Sequence, residues 1–130
     1  MKVLVTGHRG YIGSVLTPLL AKCGHDVRGY DTGYYRGCEL YPWDPGIRET
    51  QKDIRDVSLE DLDGIEGIIH LAALSNDPLG ELDPRLTGEI NRDASIRLAR
   101  LAKEAGVRRF VYASSQSMYG ISEVDEELDE

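Results

Sequence analysis

Three glycines at intervals of three, Gly7, Gly10 and Gly13, stand between the run Lys2-Val3-Leu4-Val5-Thr6 and a stretch of helical periodicity. The run before them reads as a buried strand that stops at the first glycine. The stretch after them, Tyr11 to Cys23, sets Ile12, Val15, Leu16, Leu19, Leu20 and Cys23 on one helical stripe. Gly24 suits a left-handed helix terminus, and Pro18 should bend the helix where it removes a hydrogen bond. Strand, glycine loop and helix in this order impose a geometry. The first glycine permits a tight turn, the second lets backbone approach a pyrophosphate, and the third lets helix and strand pack closely. Free N–H groups and the positive dipole end of the helix complete a phosphate site. Without these flanks the glycines would be an ordinary turn; their setting makes dinucleotide binding the stronger reading.

The rest of the chain alternates in the way such a site requires. Asp26 to Tyr30 reads as a second strand leading into Asp31, about 18 residues after Gly13, where an acid meets the adenosine ribose hydroxyls. A carboxylate there repels a 2′-phosphate, so NAD is expected over NADP; the competing reading is an aspartate that caps a turn. Thr32 to Gly46 is rich in glycine, proline and tyrosine and reads as a long loop of the kind that usually has a function. Its Tyr34, Tyr35 and Tyr41 suit surface packing, a substrate wall or a partner surface equally. Glu49 to Ile54 predicts a third short strand, Ser58 to Leu62 a short helix with a serine N-cap, and Gly67 to Ala72 a buried strand. His70, inside that apolar strand, is expected to be a hydrogen-bonded core histidine rather than an acid or base. Pro84 to Ala105 is the clearest helix, with Asp83 as N-cap, Pro84 at the first position and Gly106 closing it. Arg109 to Ala113 is a fifth strand. Strands joined through helices rather than hairpins give right-handed crossovers and a parallel sheet covered on both faces. The fold class is therefore α/β, a Rossmann-type doubly wound parallel sheet, truncated after about the fifth strand.

A length of 130 residues is one domain. Residues 1–121 are expected to form a dinucleotide-binding domain, incomplete as it stands, and 122–130 an acidic tail or cut loop. The net charge of −8 argues against non-specific affinity for nucleic acid or an anionic membrane. Much of it lies in Glu123, Asp125, Glu126, Glu127, Asp129 and Glu130, so the body is only weakly acidic. Cys23 and Cys38 are too far apart for a metal or redox motif and read as reduced thiols; no metal site is expected. No stretch approaches the roughly 18 apolar residues that span a bilayer, and no signal peptide is visible. A cytoplasmic protein is expected.

Further residues complete a pattern: Asp53-Ile54-Arg55-Asp56, His70-Leu71-Ala72-Ala73, Asn91 and Ser114-Ser115-x-x-Met118-Tyr119-Gly120. With the glycine loop and Asp31, in this order from Lys2 to Gly120, they resemble the extended short-chain dehydrogenase/reductase family, largely nucleotide-sugar epimerases, dehydratases and reductases. The resemblance implies that Gly7, Gly10, Tyr11, Ile12 and Gly13 carry the pyrophosphate and Asp31 the adenosine ribose. It further implies that Asp53 and Ile54 meet the adenine, and that Leu71, Ala72 and Ala73 pass along the cofactor. Asn91 would fix the central strands, and Ser115 would hydrogen-bond the substrate oxygen during hydride transfer. From the residues alone, Asp53 could equally cap the next turn, and Ser114 and Ser115 could only bend the chain at a strand end.

One part of the family pattern is absent. The catalytic pair of the family is a tyrosine with a lysine four residues later, where the lysine lowers the tyrosine's pKa and holds the nicotinamide ribose. None of the seven tyrosines here has a lysine four positions on. The expectation is the N-terminal part of a longer enzyme, with a sheet edge exposed beside Arg109 to Ala113 and self-association through it. The family's 4,6-dehydratases carry Thr-Asp-Glu where this chain has Ser115, Gln116 and Ser117, so dehydration is disfavoured. Epimerisation or ketoreduction of a nucleotide sugar remains, with Ser75-Asn76-Asp77-Pro78 facing the substrate. The alternative from another class is a non-catalytic NAD(P)-binding sensor or scaffold.

Overall fold

In the computed structural model, which describes residues 1–38, 46–75, 78 and 82–115, the chain forms a five-stranded parallel sheet. The strands are β1 (Lys2–Thr6), β2 (Asp26–Asp31), β3 (Arg48–Gln51), β4 (Gly67–His70) and β5 (Arg109–Tyr112), in the spatial order β3-β2-β1-β4-β5. β1 is central because its side chains are apolar on both faces. Leu4 joins a core with Tyr30, Ile68 and Leu98, while Val3 and Val5 join Val27 on the opposite side. The register aligns Thr6 with Tyr30 on one flank and with His70 on the other, which brings the carboxyl ends of the three strands level.

Helix α1 (Tyr11–Lys22) covers the Val3 and Val5 face, and its cover differs from the predicted stripe. Gly13 and Thr17 are buried, with Leu20 and Ala21 packed beside them, whereas Ile12, Val15 and Leu19 are all more than half exposed. The helix is apolar around more of its circumference than the sheet can cover, so one part of the stripe faces inward and the other outward. Pro18 lies within the helix, which runs through it unbroken to Lys22. Gly24 takes the left-handed conformation (φ 83°) expected after the helix.

Three further elements depart from their sequence reading. β3 is shorter than Glu49 to Ile54, because Ile54 leaves the strand for a 3₁₀ turn (Ile54–Asp56) and buries its side chain in the Leu4 core. The segment after it is a 3₁₀ turn (Glu60–Leu62), and Ser58 does not cap it as an acceptor; its hydroxyl and N–H both donate to Asp61 Oδ2, at 3.0 and 2.8 Å. The long helix is divided into α2 (Pro84–Thr87), a π-helical segment (Gly88–Asp93) and α3 (Ala94–Glu104). Its start is as expected, with Pro84 at the first turn and Asp83 accepting from Leu86 N at 3.1 Å. The wider turn has a local cause. Ser95 Oγ donates to the Asn91 carbonyl (2.7 Å), which loosens the ladder at that level.

Candidate functional site

The site lies where the topology reverses. From β1 the chain goes to β2 and β3 on one side, then returns to place β4 and β5 on the other, and the crevice at the carboxyl ends of β1 and β4 is where such sheets bind ligands. Gly7 turns the chain out of β1 at φ 70°, and its N–H donates to the Tyr30 carbonyl at 2.8 Å. A Cβ on Gly7 would stand 2.8 Å from Ala72 N, so glycine lets the loop touch the end of β4. A Cβ on Gly13 would fall 2.3 Å from the Gly7 carbonyl oxygen, so glycine lets α1 start directly against the loop. Gly10 is different. Its Cβ would meet, among the described residues, only the Gly7 oxygen at 3.2 Å. Gly10 is also the N-cap of α1, and as a glycine it has no side chain of its own to cap the first-turn amides at the positive end of the helix dipole. Tyr11 and Ile12 flank this opening and are exposed.

Asp31, the last residue of β2, is held at the rim. Its Oδ2 accepts from Arg9 N (3.0 Å) and its Oδ1 from Gly33 N (2.8 Å), which ties the glycine loop to the strand end and fixes the carboxylate's orientation. The second bond is the turn cap that the sequence offered as the competing reading, and the first is an additional link to the loop. Asp53 is engaged by Arg55: it accepts from Arg55 N at 2.9 Å, Nε at 3.1 Å and Nη2 at 2.8 Å. Those hydrogen bonds hold the Asp53 carboxyl below the usual carboxylate range despite partial burial. Asp53 thus caps its turn, and Ile54 commits its side chain to the core.

His70 is fully buried and both ring nitrogens are bonded, Nδ1 to Thr6 Oγ1 at 2.6 Å and Nε2 to Ser95 Oγ at 2.8 Å. The tautomer follows from the neighbours. Ser95 spends its one hydrogen on the Asn91 carbonyl, so Nε2–H donates to Ser95 and Nδ1 accepts from Thr6. Thr6 Oγ1 in turn accepts from Leu71 N and Ala72 N, each at 3.2 Å. Burial pushes the His70 pKa down to about 4, so the ring is neutral at pH 7. The Asn91 side chain clamps Leu74, accepting from its N–H (2.8 Å) and donating to its carbonyl (2.9 Å). The long helix is thereby fastened to the segment after β4, and that segment to the glycine loop.

The glycine loop, Asp31, Leu71 and Ala72 therefore converge. Ala73 is exposed just beyond them, and Asp53 and Ile54 lie in the turn that follows β3. Ser115 is exposed three residues past the end of β5. Met118, Tyr119, Gly120, Tyr41, Asn76, Asp77 and the acidic tail lie outside the described residues, whereas Tyr34 and Tyr35 are exposed. Sequence reasoning missed His8, Arg9 and Glu49. His8 is fully buried against Gly29, where a Cβ would sit 2.5 Å from the imidazole, and its Nε2 lies 3.2 Å from Glu49 Oε1. An isolated glycine in the middle of β2 was the available signal, since it marks a close approach to the strand. Among the described residues no helix is long and apolar enough to cross a membrane, and no group of three or more His, Cys, Asp or Glu is placed to hold a metal ion.

Fold and site together define an α/β domain with a glycine loop leading into a helix at its switch point. The chain belongs to the NAD dependent epimerase/dehydratase family, whose model matches residues 3–130. It is 34% identical over 126 residues to a UDP-glucose 4-epimerase of Corynebacterium glutamicum, covering 95% of this chain and 38% of that protein. It is also 34% identical over 123 residues to a 3 beta-hydroxysteroid dehydrogenase/Delta 5-->4-isomerase of Mycobacterium tuberculosis, covering 90% of this chain and 32% of that protein. Among solved structures it is similar to MoeE5 in complex with UDP-glucose and NAD, at a TM-score of 0.80 and 34% identity, covering 95% of this chain and 39% of that one. The chain thus spans less than half the length of the relatives it matches.

Proposed function

We propose that this chain is the N-terminal, NAD-binding part of a nucleotide-sugar epimerase or ketoreductase that works by hydride transfer, with residues 1–121 as its cofactor domain. The observation that supports this best is the cradle at Gly10. Gly7 and Gly13 are required by their protein neighbours, but Gly10, among the described residues, opens onto the start of α1, beside an Asp31 already oriented by two N–H donors. In this reading Gly7, Gly10, Tyr11, Ile12 and Gly13 hold the pyrophosphate through backbone amides and Asp31 accepts from the adenosine ribose. Asp53 and Ile54 border the adenine, the latter through its backbone, while Leu71, Ala72 and Ala73 line the path toward the nicotinamide. Ser115 hydrogen-bonds the substrate oxygen. Bound NAD supplies a hydride acceptor; the residues here bind, orient and exclude water. The equal identity to the hydroxysteroid enzyme supports a second reading, in which the oxidised secondary alcohol belongs to a steroid.

The test is calorimetric titration of the full-length protein with NAD and NADH, followed by incubation with UDP-glucose, its sugar products separated by chromatography, or with NAD and a 3β-hydroxysteroid while absorbance at the reduced nicotinamide band is followed. Micromolar NADH binding with interconversion of the UDP-sugar is expected. Turnover of the steroid alone would select the second reading. Tight binding with no turnover of either would favour a sensor or scaffold, and no binding would overturn the proposal.

A further inference from the structure

Beside Asp31 the structure holds an arrangement that cofactor binding in general does not require. The carboxylate of Glu49, projecting from β3, faces three cationic or titratable side chains. Arg9 Nη2 lies 2.6 Å from its Oε2, Arg36 Nη2 3.7 Å from the same oxygen, and His8 Nε2 3.2 Å from Oε1. Arg9 and Glu49 are both largely buried, at 13% and 20% side-chain exposure, so their contact is screened less than a surface pair. Although burial alone would raise the Glu49 pKa, the hydrogen bond from Arg9 and the proximity of His8 outweigh it and hold the carboxyl below the usual carboxylate range. The Arg9 backbone N–H is the group that binds Asp31 Oδ2, so this cluster adjoins the ribose rim, and a small hollow opens there between Arg9, Asp31, Gly33, Arg36 and Glu49.

Arginine is the side chain of choice for a phosphate monoester, through its paired N–H donors and permanent charge. Two arginines at the ribose rim would by themselves suit a cofactor bearing a 2′-phosphate. Arg9 is hydrogen-bonded to Glu49 instead, and the more exposed Arg36 stands 3.7 Å from the same oxygen. Discrimination of this kind commonly works by withholding a favourable contact and adding a repulsive one. Resting on the cofactor reading above, we propose that Glu49 is a specificity-determining residue: it engages Arg9 and Arg36 and adds a second negative charge behind Asp31, so that the rim accepts a free ribose hydroxyl and rejects a 2′-phosphate. Asp31 then acts by direct contact, and Glu49 acts through the arginines it holds.

The experiment compares NADH and NADPH dissociation constants by calorimetry for the full-length protein, Glu49→Gln and Arg9→Gln, with circular dichroism as the folding check. The wild type should favour NADH strongly. Glu49→Gln should tighten NADPH at least tenfold and change NADH by less than about threefold, since a neutral amide weakens the hold on both arginines and removes the negative charge behind Asp31. Loss of that gain in the double variant Arg9→Gln/Glu49→Gln would place the effect on Arg9. Should Glu49→Gln fail to fold, Arg9→Gln alone decides: an unchanged ratio of NADPH to NADH dissociation constants supports the proposal, and a rising ratio means that Arg9 already reaches the 2′ position and overturns it. A Glu49→Gln protein that folds with both affinities unchanged or equally weakened also overturns it, leaving NAD binding intact. Absence of NADH binding in the wild type instead defeats the cofactor reading and this proposal with it.

Discussion

The three loop glycines carry different physical duties, and substitution should separate them. At Gly13 an added Cβ would lie 2.3 Å from one backbone oxygen and 2.6 Å from the His8 Cα, and backbone cannot rotate aside as a side chain would. Gly13→Ala should therefore cost about 3 kcal/mol, read as a lowered urea midpoint with unchanged slope. At Gly10 the one close atom among the described residues is 3.2 Å away, so Gly10→Ala should cost less than about 1 kcal/mol in the same experiment. Its penalty should fall on NADH affinity, at tenfold or more by calorimetry, because a methyl group then occupies the approach to the α1 amides. Equal stability losses at the two positions would refute this division. Such residues were legible in the sequence because glycine is the one residue whose absence of a side chain is itself the information. Asp31 was legible for a related reason, as a carboxylate at a fixed distance along a strand–loop–helix–strand unit. The Arg9–Glu49 pair was not, since 40 positions separate its members and the β1–β2 and β2–β3 pairings together bring them into contact.

Whole elements were easier to read than the joints between them. Strands announced by Val3-Leu4-Val5 and Gly67-Ile68-Ile69 formed where the apolar runs were, but the helix from Pro84 was divided by a π-helical segment that its apolar stripe did not reveal. The cause is polar: Asn91 turns its amide to Leu74, and Ser95 takes the Asn91 carbonyl while receiving His70, and hydrophobic periodicity has no term for such bonds. This joint has a consequence for pH. His70 is neutral in the fold with a pKa near 4 against an ordinary value of 6.5, so between those limits the unfolded chain binds more protons than the folded one. Stability is then full above pH 6.5 and falls as pH drops toward 4, by about 3 kcal/mol for this group. Urea unfolding at pH 7.5 and 4.5 should show the loss, and His70→Gln should flatten that pH dependence. Ser95→Ala strands the buried Nε2–H and should cost about 2 kcal/mol at pH 7.5, where the ring is neutral in both states.

At the scale of the molecule the two sheet edges differ. β3 ends the sheet on one side with Arg48, Glu49, Thr50 and Gln51, a short polar edge of the kind that resists pairing. β5 ends it on the other with all four residues exposed, and Phe110, Val111 and Tyr112 are 36%, 55% and 51% accessible. The register aligns Val111 with Ile69 and Val5, and so directs it to the side of the sheet covered by α1, where Ile12, Val15 and Leu19 are also exposed. An edge strand unpaired among the described residues and an apolar surface on the same face of the sheet favour association more than either does alone, since hydrogen bonds give direction and apolar burial gives the larger share of the free energy. We propose that the 130-residue chain in isolation self-associates through β5. Sedimentation velocity at tens of micromolar should give a dimer. Val111→Lys should shift it to monomer, because a charge placed on an edge strand resists pairing, while Arg48→Glu on the opposite edge should change nothing. Amide exchange gives an independent reading, with slowed exchange along Phe110 to Tyr112 at high protein concentration and not at low. A chain that sediments as a monomer across the whole range would refute the self-association, and a dimer insensitive to Val111→Lys would move the interface away from β5.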